Sequence, residues 1–360
     1  MMRAIIVTPG VEDSVRLDEV GEPDPAEGSV LVETLMIGVC GTDREIIAGE
    51  HGQPPPGTDD LVLGHESLGS VLEAPRDSGL TAGDLVVGIV RRPDPEPCVN
   101  CAVGEWDMCR NGRYTEHGIK GLDGYARERF RLDPGYAVRV DPALGDLAVL
   151  LEPASIVAKA WEHIERIGKR AHWEPRRVLV TGAGPIGLLA ALMGRQRGLE
   201  VAALDRVVDG PKPRLVTDLD ATYHVGDIEA ACADADVVIE ATGAAELVFE
   251  VMRSSARNGI VCLTGVTSPG RRIEVAAGLI AHQIVLENDV VFGSVNANRR
   301  HYEQAAHVLA AADPDWLGRL ITRRVPLERW RDAYESTPTG IKTVIALAAS
   351  AESRSWQPPR

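Results

Sequence analysis

Up to about residue 150 the apolar positions fall in short runs, each closed by glycine or proline. Segments 29–35, 68–72 and 85–90 are of this kind, with Val30, Val32 and Leu35 marking the first. Helical spacing is scarce there, and the pattern predicts a compact, mostly-β unit with long functional loops. Two proline-rich stretches, 53–57 and 92–97, must be loops, because proline sustains neither a helix nor a strand ladder. From residue 154 the texture changes. Ile156, Val157, Ala160 and Ile164 recur at helical spacing through 154–167, and a short strand-like run, Arg177-Val178-Leu179-Val180-Thr181, follows. Helical patterns at 188–197 and 244–257 then separate strand candidates at 200–205, 221–225, 236–240, 259–264 and 290–295. Such alternation predicts a doubly wound parallel sheet. The tail reads as helical from 298 to 312 and then irregular, and its run at 341–347 can return as a strand to the first unit. The fold class is therefore α/β, with one domain formed by 1–153 and 297–360 and a second by 154–296.

A chain of 360 residues is long enough for two such cores. Its formal net charge of −15 argues against a nucleic-acid partner or an anionic membrane surface, since both require a basic face. Met1-Met2-Arg3-Ala4-Ile5-Ile6-Val7 runs straight into a strand-like segment, and no apolar stretch is long enough for a membrane span, so the cytoplasm is the expected location. In that reducing compartment the clustering of Cys98, Cys101 and Cys109 points to a metal rather than to disulfides. Cys232 and Cys262 lie in apolar surroundings and read as core residues.

The glycine-rich segment Gly182-Ala183-Gly184-Pro185-Ile186-Gly187 follows a predicted strand and opens a predicted helix. In that context each glycine has a physical reason to be there. Gly182 permits the tight turn, Gly184 lets backbone approach a pyrophosphate, and Gly187 allows close helix–strand contact. The N–H groups at the helix start then face the phosphates. Asp205, at the end of the next strand, is placed to accept hydrogen bonds from adenosine ribose hydroxyls, which favours NAD over NADP. Arg206 beside it is the usual kind of partner for a 2′-phosphate, so dual use of NAD and NADP is the main rival reading.

A second constellation carries the reacting chemistry. The run Leu61-Val62-Leu63 delivers Gly64-His65-Glu66; Cys40 lies upstream and Glu152 downstream. A thiolate, an imidazole and carboxylates form a mixed ligand set that suits a catalytic zinc better than magnesium or calcium. His65 and Glu66 are adjacent, and neighbours on an extended strand point to opposite faces, so both reach one metal only where the strand breaks.

With Cys40-Gly41-Thr42-Asp43, Gly64-His65-Glu66, the cysteine lobe, Glu152-Pro153 and 182–187 in this order, the chain resembles the zinc-dependent medium-chain dehydrogenases/reductases over essentially its whole length. Segments 47–52 (Ile-Ala-Gly-Glu-His-Gly), Val90-Arg91-Arg92-Pro93, 114–119 (Tyr-Thr-Glu-His-Gly-Ile), Gly293-Ser294-Val295-Asn296 and Ile341-Lys342-Thr343 make it similar to the archaeal-type glucose 1-dehydrogenase subfamily. The resemblance implies a GroES-like catalytic domain with a zinc lobe near 94–112, and a Rossmann domain. It implies oxidation of an aldose at C1 to its lactone, with NAD(P)+ as hydride acceptor. The same chemistry on another polyol, cyclitol or modified sugar is the first alternative, and a non-catalytic nucleotide-binding protein a remoter one. Thr42 would take the proton first. In many relatives a histidine follows that cysteine; here Arg44 and Glu45 stand in its region, with His51 a substitute for the relay's exit. Glu116 and Asn296 would pair with sugar hydroxyls, Glu152 beside them, and Lys342 and Asn296 would contact the cofactor. Cys98, Cys101 and Cys109 would hold a structural zinc. The family's first cysteine position falls on Pro95, leaving Asp94 or Glu96 to complete the set. Relatives assemble as homodimers or homotetramers, and the partner is a small-molecule sugar.

Overall fold

In the first unit the longest strand, Val30–Val39, is the spine of a seven-stranded sheet. It pairs antiparallel with Glu66–Glu73 on one side and with Lys342–Ala346 on the other, so the late run returns as a central strand. Leu85–Gly88, Ala137–Arg139, Arg129–Leu132 and Ile321–Pro326 complete the sheet. Ile5, Val32, Ile37, Leu63, Phe130 and Ile345 are among the residues that close the core beneath it. The computed structural model describes residues 1–267, 270–337 and 339–348. It divides into Met1–Glu152 with Ala297–Pro314 and the chain from Ile321, and Pro153–Asn296 with Asp315–Leu320. Residues 349–360, assigned above to the first domain, lie outside the described residues.

The second unit is a six-stranded sheet whose pairings are all parallel. Its order across the sheet is Thr222–His224, Glu200–Leu204, Arg177–Thr181, Val237–Glu240, Ile260–Leu263 and Val290–Gly293. The first strand in sequence sits in the middle and the chain winds outward from it both ways, which creates the switch point where ligands of such sheets bind. Val178, Leu179 and Val180, like Val237, Val238 and Ile239, are almost fully buried, the continuous apolar run expected of strands covered on both faces.

The expectation of an irregular segment after 312 fails. Pro314–Leu320 is a helix, Ile321–Pro326 a strand and Trp330–Tyr334 a further short helix. Helices Pro211–Thr217, Ile228–Cys232 and Ala277–Glu287 also go unannounced by the apolar pattern. Most of these span one or two turns, too few for a period of 3.6 to register, and tertiary packing rather than patterning sustains them. Ala277–Glu287 is longer, but Ile280 is its one buried residue, so it has no contrasting buried stripe to read. Among the described residues no helix is long and apolar enough to cross a membrane.

Candidate active site

Cys40 ends the run of strand Val30–Val39 and stands at the N-terminus of helix Gly41–Ile47. Its backbone N–H donates to Asp43 Oδ2 at 2.9 Å, which fixes the first turn. The facing strand is interrupted at Gly64, whose φ of +87° and contact with Ala126 leave no room for a side chain. That break swings His65 toward Cys40: Nε2 lies 3.0 Å from Cys40 Sγ, and Nδ1 lies 3.3 Å from Asp43 Oδ1. Cys40, Asp43 and His65 thus form one group of potential metal ligands. Asp43 Oδ2 takes the Cys40 amide, while Oδ1 stands beside the imidazole as an ion-pair partner placed to orient the histidine. Burial favours the neutral His65 ring, but the Cys40 sulfur and the Asp43 carboxylate outweigh it and hold the pKa well above the usual value. Ordinary zinc bonds of about 2.3 Å to sulfur and about 2.0–2.1 Å to nitrogen set such a pair roughly 3.6 Å apart at a tetrahedral angle. A small opening of the 3.0 Å gap therefore lets both atoms ligate, and the donor set fits zinc.

Glu66 opens strand Glu66–Glu73 opposite Gly38, and its carboxylate lies where a Cβ on Gly38 would stand. It pairs with the ammonium of Lys342, which also donates to the Val39 carbonyl at 3.2 Å. Lys342, expected at the cofactor, is thus buried beside Glu66 in the first unit. Glu152 opens helix Leu151–Gly168. Burial, reinforced by the neighbouring Glu66 charge, pushes its carboxyl group up to about 8. Of the four ligands expected from sequence, the structure brings Cys40 and His65 into one close group, and Glu66 and Glu152 are not part of it.

Glu116 sits opposite Arg91 in a short antiparallel pair. Both are buried, and the guanidinium donates twice to Glu116 Oε1, at 2.9 and 3.1 Å. Thr42 is half-buried in the first turn after Cys40, whereas His51 is exposed. Arg44 donates to the Tyr334 carbonyl at 3.1 Å.

In the second unit the glycine-rich turn follows Arg177–Thr181 and opens helix Pro185–Gln196, with Gly184 at its N-cap. Gly182 adopts φ +89°, and a Cβ there would stand 2.8 Å from Thr242 Cγ2. A Cβ on Gly187 would overlap the Gly182 carbonyl, while one on Gly184 would meet open space, the place a phosphate needs. Asp205 receives N–H groups from Ala183 at 2.7 Å and Val207 at 3.0 Å, and Lys212 Nζ lies 3.1 Å away. Burial raises its pKa, but these donors win and hold it below the ordinary value. Arg206 is exposed beside it. Asn296 is buried at φ +60°, just beyond strand Val290–Gly293.

Residues 26–142 match the alcohol dehydrogenase GroES-like domain, and 145–347 match the glucose dehydrogenase C-terminus. The glucose 1-dehydrogenase of Methanocella arvoryzae is 40% identical over 359 residues, covering 97% of this chain and 100% of its own. That of Thermoproteus tenax is 43% identical over 352 residues, covering 96% and 99%. The chain belongs to the glucose dehydrogenase family. A solved structure of the Haloferax mediterranei enzyme, in complex with NADP, zinc and gluconolactone, has a TM-score of 0.89 at 36% identity and covers 97% of this chain and all of its own. Membership makes the protein a dehydrogenase of the medium-chain type, built from a GroES-like and a parallel-sheet domain.

In this glucose dehydrogenase family member the cysteine lobe brings Cys98, Cys101 and Cys109 into one group, with the first two sulfurs 3.6 Å apart. Tetrahedral zinc sets two sulfurs roughly 3.8 Å apart, so the thiols fit. The Arg110 N–H, then that of Cys101, holds the Cys98 thiol down at about 6. Neither carboxylate considered for the fourth position joins them. Asp94 is taken by Asn111 at 2.8 Å and Arg113 at 3.3 Å, and Glu96 is exposed and paired with Arg113. Asp43 and Arg91 carry no role in the motifs named from sequence. An acid three residues after Cys40 was the available signal for the first.

Proposed function

We propose that this protein oxidises an aldose of the glucose type at C1 to the lactone, passing hydride to NAD(P)+, with a catalytic zinc held by Cys40 and His65. The observation that carries this reading is the thiol–imidazole pair backed by Asp43, in a chain 40% identical to glucose 1-dehydrogenases over its length. Zinc bound there supplies Lewis acidity to the C1 hydroxyl. Asp43 fixes the imidazole with Nε2 directed at the thiol, so little reorganisation is needed on ligation. Lys342 holds Glu66 by its ammonium, keeping that carboxylate ordered beside the reacting group, and Glu152 is the further carboxylate candidate for the metal or a sugar hydroxyl. Thr42 Oγ1 takes the proton, and Glu116, oriented by Arg91, accepts from a sugar hydroxyl. Each buried sugar hydroxyl left unpaired costs about 1–3 kcal/mol, which is why a sugar site needs such partners.

The dinucleotide reading favours NAD, because a 2′-phosphate would meet the Asp205 carboxylate, while Lys212 and Arg206 beside it supply the cations that dual use requires. Zinc in the lobe would be held by the three thiolates. Matched assays of NAD+ and NADP+ reduction across aldoses, cyclitols and simple alcohols test the proposal. Glucose-like aldoses should give the largest kcat/KM, and a preference for cyclitols or simple alcohols would overturn the substrate class.

A homodimer or homotetramer is part of the proposal. Strand Val290–Gly293 ends its sheet, and nearby helix Ala277–Glu287 exposes Leu279, Val285 and Leu286. An open strand edge with an apolar helix beside it invites a second copy. Light scattering should report a dimer or tetramer that V285E/L286E breaks to monomers; a monomeric wild type would contradict it.

A further inference from the structure

Glu240 closes strand Val237–Glu240 and is completely buried, yet the proposed chemistry gives it no role. Among the described residues it has no cationic partner, so donors must compensate its charge. Four do. Oε1 accepts from Thr181 Oγ1 at 3.2 Å, from Thr242 N at 2.8 Å and from Thr242 Oγ1; Oε2 accepts from Gly243 N at 3.1 Å. Its backbone carbonyl accepts from Thr264 N at 2.8 Å, Thr264 Oγ1 at 2.7 Å and Gly265 N at 3.0 Å.

These partners belong to three different segments. Thr181 ends the strand that feeds the glycine-rich turn, Thr242 and Gly243 follow Glu240 itself, and Thr264 and Gly265 follow strand Ile260–Leu263. All three leave the carboxyl ends of adjacent strands, the edge where a parallel sheet of this kind receives its dinucleotide. The packing there has no slack. A Cβ on Gly182 would stand 2.8 Å from Thr242 Cγ2, and one on Gly265 would stand 2.8 Å from Glu240 Oε2.

We propose that Glu240 is a positioning residue for the dinucleotide, its carboxylate setting the 242–243 loop against the Gly182 turn and so fixing the floor on which the cofactor lies. An acceptor-only group suits the place, since every neighbour donates. Glutamine would turn its amide either on three donors at Oε1 or on the Gly243 N–H at Oε2. The inference rests on the dinucleotide reading of this unit, and the same titration separates the two.

NADH binding is followed by its fluorescence in wild type, Glu240→Gln, Thr242→Val and the double variant. Wild-type binding tests the dinucleotide reading itself. Given that binding, Glu240→Gln should raise the Kd at least tenfold and Thr242→Val several-fold, and the double variant should fall short of the product of the two. The KM for the dinucleotide should rise with the Kd, while kcat at saturating cofactor and zinc content stay within twofold of wild type, a split that general loosening of the fold would not produce. Thr242→Val keeps the test decisive if Glu240→Gln does not fold. Kd values within twofold of wild type in the folded variants would overturn the assignment, and a wild type that binds neither NADH nor NADPH would remove it together with the dinucleotide reading.

Discussion

Cys40→Ala and His65→Ala should each reduce turnover at least about 10³-fold and remove one zinc per chain. The size follows from what is lost, since Lewis-acid stabilisation of developing charge is worth several kcal/mol and every 1.36 kcal/mol is a factor of ten. Neither change should unfold the unit, whose core is apolar and distributed over a seven-stranded sheet. Asp43→Asn is the graded version. It keeps the shape but weakens the partner at His65 Nδ1, and an orienting partner of this kind is worth roughly 10–100-fold in metal affinity or activity. Metal analysis also separates the two sites. Wild type should carry two zinc ions per chain, Cys40→Ala should keep the lobe zinc, and Cys98→Ser should keep the catalytic one. Normal turnover in Cys40→Ala or His65→Ala would remove the zinc mechanism, and a wild type with one zinc per chain, unchanged in Cys98→Ser, would show that the lobe holds none.

The second large effect concerns Glu116. Its pairing with Arg91 changes what an alanine does there, because Arg91 is only 4% exposed and its guanidinium would lose its carboxylate. Breaking a buried pair from one side costs about 3–5 kcal/mol. Glu116→Ala should therefore lower the melting temperature by several degrees as well as raise the KM for sugars. Glu116→Gln separates these effects, since it keeps an oxygen for Arg91 while removing the charge. In that variant the sugar KM should rise about tenfold, with little change for a simple alcohol. Equal effects on sugar and alcohol would rule out contact with the sugar, and an unchanged melting temperature in Glu116→Ala would contradict the role of the ion pair.

Much of this molecule was legible in its sequence because the relevant signals are local. The glycine-rich turn between a strand and a helix is contiguous, and the alternation of elements that predicts a doubly wound sheet recurs throughout 177–293. What stayed hidden depends on register between distant segments. Gly38 reads as an ordinary strand glycine until Glu66 lies across it in the antiparallel ladder. Arg91 has no partner nearby in sequence, and only the strand pairing sets it opposite Glu116. Asp43 reads as an acid favouring a helix start, and it is one, since it caps Cys40; its second oxygen meets His65 only after the chain breaks at Gly64. Lys342 has no local mark of its role, because Glu66 and the Val39 carbonyl reach it through the return of the last strand to the first sheet. The helices and strand after Pro314 escaped for a different reason, being too short to display a period.

A zinc on Cys40 and His65 is proposed to drive oxidation of a sugar at C1. The most direct test of this mechanism is the initial rate of NAD(P)H formation from glucose, followed by absorbance in protein stripped of metal with a chelator and then titrated with zinc. Stripping should abolish glucose oxidation while NADH binding persists, and added zinc should restore the rate with gluconolactone as product. Glucose oxidation undiminished in fully metal-free protein would contradict the zinc mechanism.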